Sequence, residues 1–181
     1  MANPWPVQHA GSRDACETDL SSYISGYVDG EGCFTVSISP RPKLRTGWEV
    51  RPSFSVSQNA DRAEVLLAIQ RYFRCGTLRP DRSDRTVKWE IRSLSLLIDR
   101  VIPHFRRYPL LSGKHQDFEF FASICEQMRQ GAHLTPRGMI QIVRLASAMN
   151  PSGRRGYAPE AIIVSLTSRD EGIVCPAGNS G

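Results

Sequence analysis

The chain has 181 residues, 40% of them hydrophobic and 23% charged, which leaves room for one domain with a real core and matches an ordinary soluble balance. No apolar run approaches the roughly 20 residues that a membrane-spanning helix needs. The five cysteines (Cys16, Cys33, Cys75, Cys125 and Cys175) are odd in number and widely spaced, and the four histidines complete no zinc pattern, so reduced thiols are expected rather than a disulfide framework or a structural zinc.

The net charge is +5, and its distribution is more informative than its sum. Residues 1–40 hold one Arg and five acids, whereas residues 41–107 hold fifteen Lys or Arg and seven acids. Only Lys43, Lys88 and Lys114 among the 23 basic residues are lysines. Arginine bonds phosphates and guanine edges in a bidentate way that lysine does not, so an Arg-dominated central block fits a nucleic-acid surface. High genomic GC content is the competing source of arginine.

Residues 1–17 read as a flexible leader, because they lack the charged patch and apolar stretch of a signal peptide. A cytoplasmic protein is expected, or one of an organellar matrix if the gene is organelle-encoded. Residues 18–30 read as a helix, with Leu20, Ile24, Tyr27 and Val28 at helical spacing and Thr18 or Asp19 available as N-cap. Residues 33–39 alternate, placing Phe34, Val36 and Ile38 on one face and Thr35, Ser37 and Ser39 on the other. After the turn-rich segment 40–47, residues 48–58 alternate again, and Pro52 there predicts an irregularity or a strand edge. A second helix over 61–73 carries Val65, Leu66, Ile69, Tyr72 and Phe73. Short strands at 76–80 and 86–92 follow, then helices at 93–106, 114–130 and 136–148. Residues 18–149 form the predicted domain, and 150–181 are expected to be a weakly ordered tail.

This order is an α+β arrangement with one apolar face on every strand for helices to cover. The other face is open and rich in groups that donate to or accept from base edges. A twisted antiparallel ribbon of that kind can enter a DNA major groove. The candidate DNA contacts are Thr35, Ser37 and Ser39; Arg41, Lys43 and Arg45 in the turn; Glu49, Arg51, Ser53, Ser55 and Ser57; and Arg79, Arg82, Arg85, Lys88, Glu90 and Arg92. A plain solvated sheet face is the alternative.

The first helix breaks two local rules. Ser22, Gly26 and Gly30 make a stripe of small residues at i, i+4 and i+8, although each glycine costs up to about 1 kcal/mol in a helix interior. Close approach of another backbone explains such a stripe, and without a second copy in the chain the natural partner is the same helix of another subunit; an internal packing site is the other reading. Asp29 and Glu31 lie where the helix dipole is already negative. A two-fold axis along paired helices would bring both Glu31 carboxylates together beneath the sheet. Like charges that close call for a divalent cation, and oxygen ligands suit Mg²⁺, with Mn²⁺ as a substitute.

The segment Ile24-Ser25-Gly26-Tyr27-Val28-Asp29-Gly30-Glu31-Gly32, followed by Cys33 and Phe34, resembles the nine-residue LAGLIDADG motif of homing endonucleases. The resemblance covers roughly residues 18–130, because the family's αββαββα core follows in order. It implies a saddle-shaped antiparallel sheet with helices on its other side and a metal-dependent, homodimeric, intron-encoded DNA endonuclease. Glu31 would be the metal-binding catalytic acid, with Gly30 beside it as a metal-site residue, and Gly26 and Gly30 the interface glycines; Asp29 would be structural. Gln58 resembles a polar residue that orients solvent at the cleavage site. Lys114 resembles a lysine kept near the active site, with Ser112 as the alternative occupant of that position. Double-stranded DNA and a second copy of the chain are the implied partners. An intron-RNA maturase and a catalytically silent DNA-binding regulator of the same fold are the alternative readings.

Overall fold

The computed structural model of the chain describes residues 13–80, 85–150 and 156–171. Its elements are α1 (Arg13–Glu31), β1 (Gly32–Pro40), β2 (Trp48–Asn59), a 3₁₀ turn (Ala60–Arg62), α2 (Glu64–Phe73), β3 (Thr77–Pro80), β4 (Thr86–Ile91), α3 (Leu94–Leu96), a π turn (Leu97–Val101), α4 (Ile102–Arg107), α5 (Lys114–Arg129), a 3₁₀ turn (Ala132–Leu134), α6 (Pro136–Ala148) and α7 (Pro159–Glu171). The α+β class and the order of elements from α1 to α6 agree with the sequence reading.

The four strands form one antiparallel sheet in the order β1-β2-β4-β3. Alternation sends Phe34, Val50, Phe54, Val56, Trp89 and Ile91 to the helix side, where all are buried. Phe34 sits at the centre, with its ring 4.8 Å from Phe54, 5.2 Å from Phe121 and 5.5 Å from both Phe105 and Phe118. The residue two places beyond the motif therefore ties α1 and β1 to the core, so the end of α1 is held by packing as well as by chain connectivity. Pro52 pairs with Val36 of β1 at a point that β4, which pairs with Phe54–Asn59, does not reach. It thus occupies a local edge, where a missing N–H leaves no ladder bond unmade.

Three features differ from the sequence reading. α1 begins at Arg13, inside the segment assigned to a leader. The helical run that starts at Leu94 is not uniform, and it widens to a π turn over Leu97–Val101. Pro103 lacks the N–H that the Asp99 carbonyl would accept in a regular α-helix, and local re-spacing answers that loss. Beyond residue 150, where a weakly ordered tail was expected, Pro159–Glu171 is a helix. Ile162 and Leu166, one turn apart, are buried, and Trp48 Nε1 donates to Ser165 Oγ at 2.8 Å. Residues 1–12, 151–155 and 172–181 of the leader and tail lie outside the described residues. Among the described residues no helix is long and apolar enough to cross a membrane.

Candidate nuclease site and nucleic-acid interface

Two acids end α1, and they have different surroundings. The Asp29 carboxylate accepts from the backbone N–H of Leu111 at 2.8 Å, from that of Ser112 at 3.1 Å and from Ser112 Oγ at 2.6 Å. Partial burial works against the charge, but the hydrogen bonds from Ser112 and Leu111 outweigh it and hold the carboxyl below its usual range. Asp29 is thus a clamp on the loop before α5, consistent with a structural role. Glu31 is exposed, and among the described residues no side chain or backbone group pairs with its carboxylate.

Lys114 reaches the same helix end. Its Nζ donates to the Val28 carbonyl at 2.9 Å and to the Gly30 carbonyl at 3.3 Å. A helix leaves its last carbonyls unpaired, and a cation there satisfies them and offsets the negative end of the dipole. The Gly30 carbonyl oxygen, a candidate metal donor, is therefore shared with Lys114. Ser112, the alternative to Lys114, spends its hydroxyl proton on Asp29 and accepts from the Lys114 N–H at 3.1 Å. The sequence placed both residues near the motif, and the structure assigns the charge to Lys114 and the loop capping to Ser112.

Gln58 lies at the end of β2, where Asn59 N–H donates to its Oε1 at 2.7 Å and its Nε2 donates to the Tyr27 hydroxyl at 2.6 Å. Tyr27 is one helical turn before Glu31. Burial raises the Tyr27 pKa, the Gln58 hydrogen bond opposes that shift, and the Glu31 charge adds to it. Sequence reasoning counted Tyr27 only as a member of the apolar stripe. The available signal was a phenol at i−4 from the candidate catalytic acid.

The two long faces of α1 also differ. Ser22, Gly26 and Gly30 are exposed, and a Cβ built on Gly26 or on Gly30 meets nothing within 4 Å. No contact inside the chain therefore requires glycine at either place. Beside them Tyr23 and Leu111 are 54% and 95% exposed. On the opposite face Ser21 and Ser25 are buried. Ser25 Oγ donates to the Tyr108 carbonyl at 2.7 Å, so it accepts from His104 Nε2 at 3.2 Å. That leaves His104 Nδ1 as acceptor for the Tyr72 hydroxyl at 3.0 Å. Burial pushes the His104 pKa down to about 4, which keeps the ring neutral, as this directed chain requires.

The outer face of the sheet carries the candidate DNA contacts. Thr35, Ser37, Ser39, Ser53 and Ser57 line it at exposed or half-buried positions, and Arg41, Lys43 and Arg45 are exposed in the turn between β1 and β2. Glu49 holds Arg51 at 2.7 Å and Arg41 at 3.3 Å, and those hydrogen bonds, led by Arg51, lower its pKa. Glu90 holds Arg92 at 2.8 Å and Lys88 at 3.5 Å. Arg79 stands directly across from Lys88; like charges in that position cost stability, and a polyanion relieves the cost. Arg85 is exposed with φ of 57° at the start of β4. Ser55 and Glu90, opposite one another, are only 4% and 7% exposed. They lie beneath the cations rather than among them. Arg82 is outside the described residues.

The exposed helix-end carboxylate, the glycine-lined helix face and the basic outer face of the sheet all belong to the region from α1 to β4. The LAGLIDADG endonuclease profile matches residues 24–125, and the chain belongs to that family. It is 32% identical over 130 residues to a probable intron-encoded endonuclease 2 of Neurospora crassa, an alignment covering 71% of this chain and 29% of that relative. The chain thus spans under a third of that relative's length. Among solved structures it resembles the homing endonuclease I-TnaI, with a TM-score of 0.71 and 34% identity over 82% of this chain and 97% of that one. It also resembles the archaeal intron-encoded homing endonuclease I-Vdi141I, solved in complex with DNA, with a TM-score of 0.79 and 25% identity over 86% of this chain and 99% of that one.

Proposed function

We propose that this protein is a site-specific endonuclease that binds double-stranded DNA on the outer face of its sheet and hydrolyses a phosphodiester in each strand as a homodimer. The observation that carries the reading is the unpaired Glu31 carboxylate at the end of a helix whose open face is lined by Gly26 and Gly30. Family membership and the near-complete coverage of two homing endonuclease chains support it.

The donor set fits half of a metal site. Among the described residues of one chain, no three His, Cys, Asp or Glu side chains cluster as metal ligands. Asp29 is committed to the loop, so one chain offers the Glu31 carboxylate and the shared Gly30 carbonyl. These are hard oxygen donors of the kind Mg²⁺ or Mn²⁺ takes. The remainder would come from Glu31 of a second copy and from DNA phosphate oxygens. When bound, the cation would supply stabilisation of charge on the attacking and leaving oxygens. In the hydrolysis a water oxygen bonds to phosphorus, the phosphorus–oxygen bond to one sugar breaks, and the departing oxygen takes a proton. Lys114, held against the α1 carbonyls, would bring a fixed positive charge towards the phosphate. Gln58, fixed at both ends of its amide, would orient solvent.

The test begins with selection of cleaved sites from a random duplex library with Mg²⁺ present. Glu31→Gln should then lower cleavage of the selected site by about a hundredfold or more, because an amide replaces a carboxylate ligand. DNA binding measured in Ca²⁺ should persist. Wild-type cleavage by Glu31→Gln would remove the reading.

A further inference from the structure

Tyr27 stands at the fourth position of the motif, where the motif's own letters give leucine. Its ring packs as a leucine would, half-buried and stacked on Tyr23 with centroids 6.0 Å apart. Its hydroxyl adds something leucine lacks. The amide of Gln58 has only one orientation here, because Oε1 takes the Asn59 N–H at 2.7 Å. Nε2 is therefore the end that faces Tyr27, and it donates to the phenol oxygen at 2.6 Å. The phenol oxygen is the acceptor in that bond, so its own proton is left for another partner. Among the described residues no group accepts it.

The surroundings of that proton include Glu31, whose charge acts on the phenol. Residues four apart lie on one face, one turn from each other, so Tyr27 and Glu31 share a side of α1 and Gln58 closes the space from β2. With no acceptor among the described residues, the proton is free for a solvent oxygen. We infer that Tyr27 is a positioning residue of the nuclease site, locking the Gln58 amide with its oxygen and donating its own proton to the solvent oxygen beside Glu31. This inference rests on the endonuclease reading and deepens it. A raised Tyr27 pKa accords with a phenol that keeps its proton at neutral pH. Gln58 then orients solvent through Tyr27, whose hydroxyl it holds.

Tyr27→Phe separates the hydroxyl from the ring, keeping the stack on Tyr23 and removing one oxygen. The full chain is assayed on its selected site under single-turnover conditions, with DNA affinity in Ca²⁺ and melting temperature measured on the same preparations. The expected result is a fall of about tenfold in the cleavage rate, with affinity unchanged within about twofold and melting within a degree or two. Gln58→Ala should give a similar fall, and the double variant should be no slower than the worse single one, since one removes the hydroxyl and the other the amide that orients it. A wild-type rate in Tyr27→Phe overturns the inference. So does a double variant slowed by the product of the two effects, or a loss of affinity that matches the loss of rate. A wild-type chain that cleaves no duplex rejects the endonuclease reading itself, and this inference with it; wild-type cleavage confines the outcome to Tyr27.

Discussion

On one face of α1, Ser21, Ser25, Ile24 and Val28 are buried, and the Ser21 and Ser25 hydroxyls find their partners inside the chain. On the other, Ser22, Gly26 and Gly30 are exposed and a methyl group added at either glycine would touch nothing. Both faces carry small residues, but for different reasons. The closed face needs hydroxyls short enough to reach His104 and Tyr108. The open face gains nothing within this chain from glycines that cost helix propensity. Small residues explained by an internal contact say nothing about assembly; those without one are what the proposed homodimer would use.

The comparison can be broken most severely from the open side. Gly26→Leu should leave the monomer folded, because the site has room, and should abolish association by holding two helices apart. Sedimentation shows the change in mass, and circular dichroism shows the retained helix. A stable Gly26→Leu dimer would contradict the proposed interface. From the closed side the effect should be on folding instead. His104 is kept neutral by burial, with a pKa pushed from 6.5 to about 4. Its unfolded form takes a proton first, so the stability tied to the neutral ring is fully present above about pH 6.5 and is lost as pH falls towards 4. The loss should be on the order of 3 kcal/mol across that window. Denaturation curves at stepped pH would measure it, and His104→Asn should flatten the dependence.

The smallest effect belongs to the junction of the two faces. Asp29→Asn keeps one oxygen for the Leu111 and Ser112 N–H groups, turns its NH2 towards Ser112 Oγ, and loses the charge-assisted bonds. It should cost about 1–2 kcal/mol. Cleavage should fall far less than in Glu31→Gln, and a larger loss would place Asp29 in the chemistry.

Much of this was legible from periodicity. The strands alternate cleanly, and α2, α5 and α6 carry apolar stripes, because each buries a single face. α7 was not, since Ile162 and Leu166 stand among Ser165, Thr167 and Ser168 and find their burial mainly against α6. The π turn answers to Pro103, which lies inside the segment 93–106 read as one helix. In the site, Gly26, Gly30 and Glu31 stood out because they violate local helix rules. Tyr27 violated none, since a tyrosine suits an apolar stripe and its partner is 31 residues away at Gln58. Strand parity put Ser55 and Glu90 on the outer face correctly but could not give their depth, which comes from the neighbouring strands and from the cations lying over them.

The central claim is that one chain holds half of a cleavage site. Its most direct test is the cleavage rate as a function of protein concentration, with sedimentation run over the same range. A rate that rises with the square of concentration below the monomer–dimer midpoint, and saturates as the dimer forms, is the expected result. Full cleavage activity from a species that sediments as a monomer at micromolar concentration, both free and on its DNA, would contradict it.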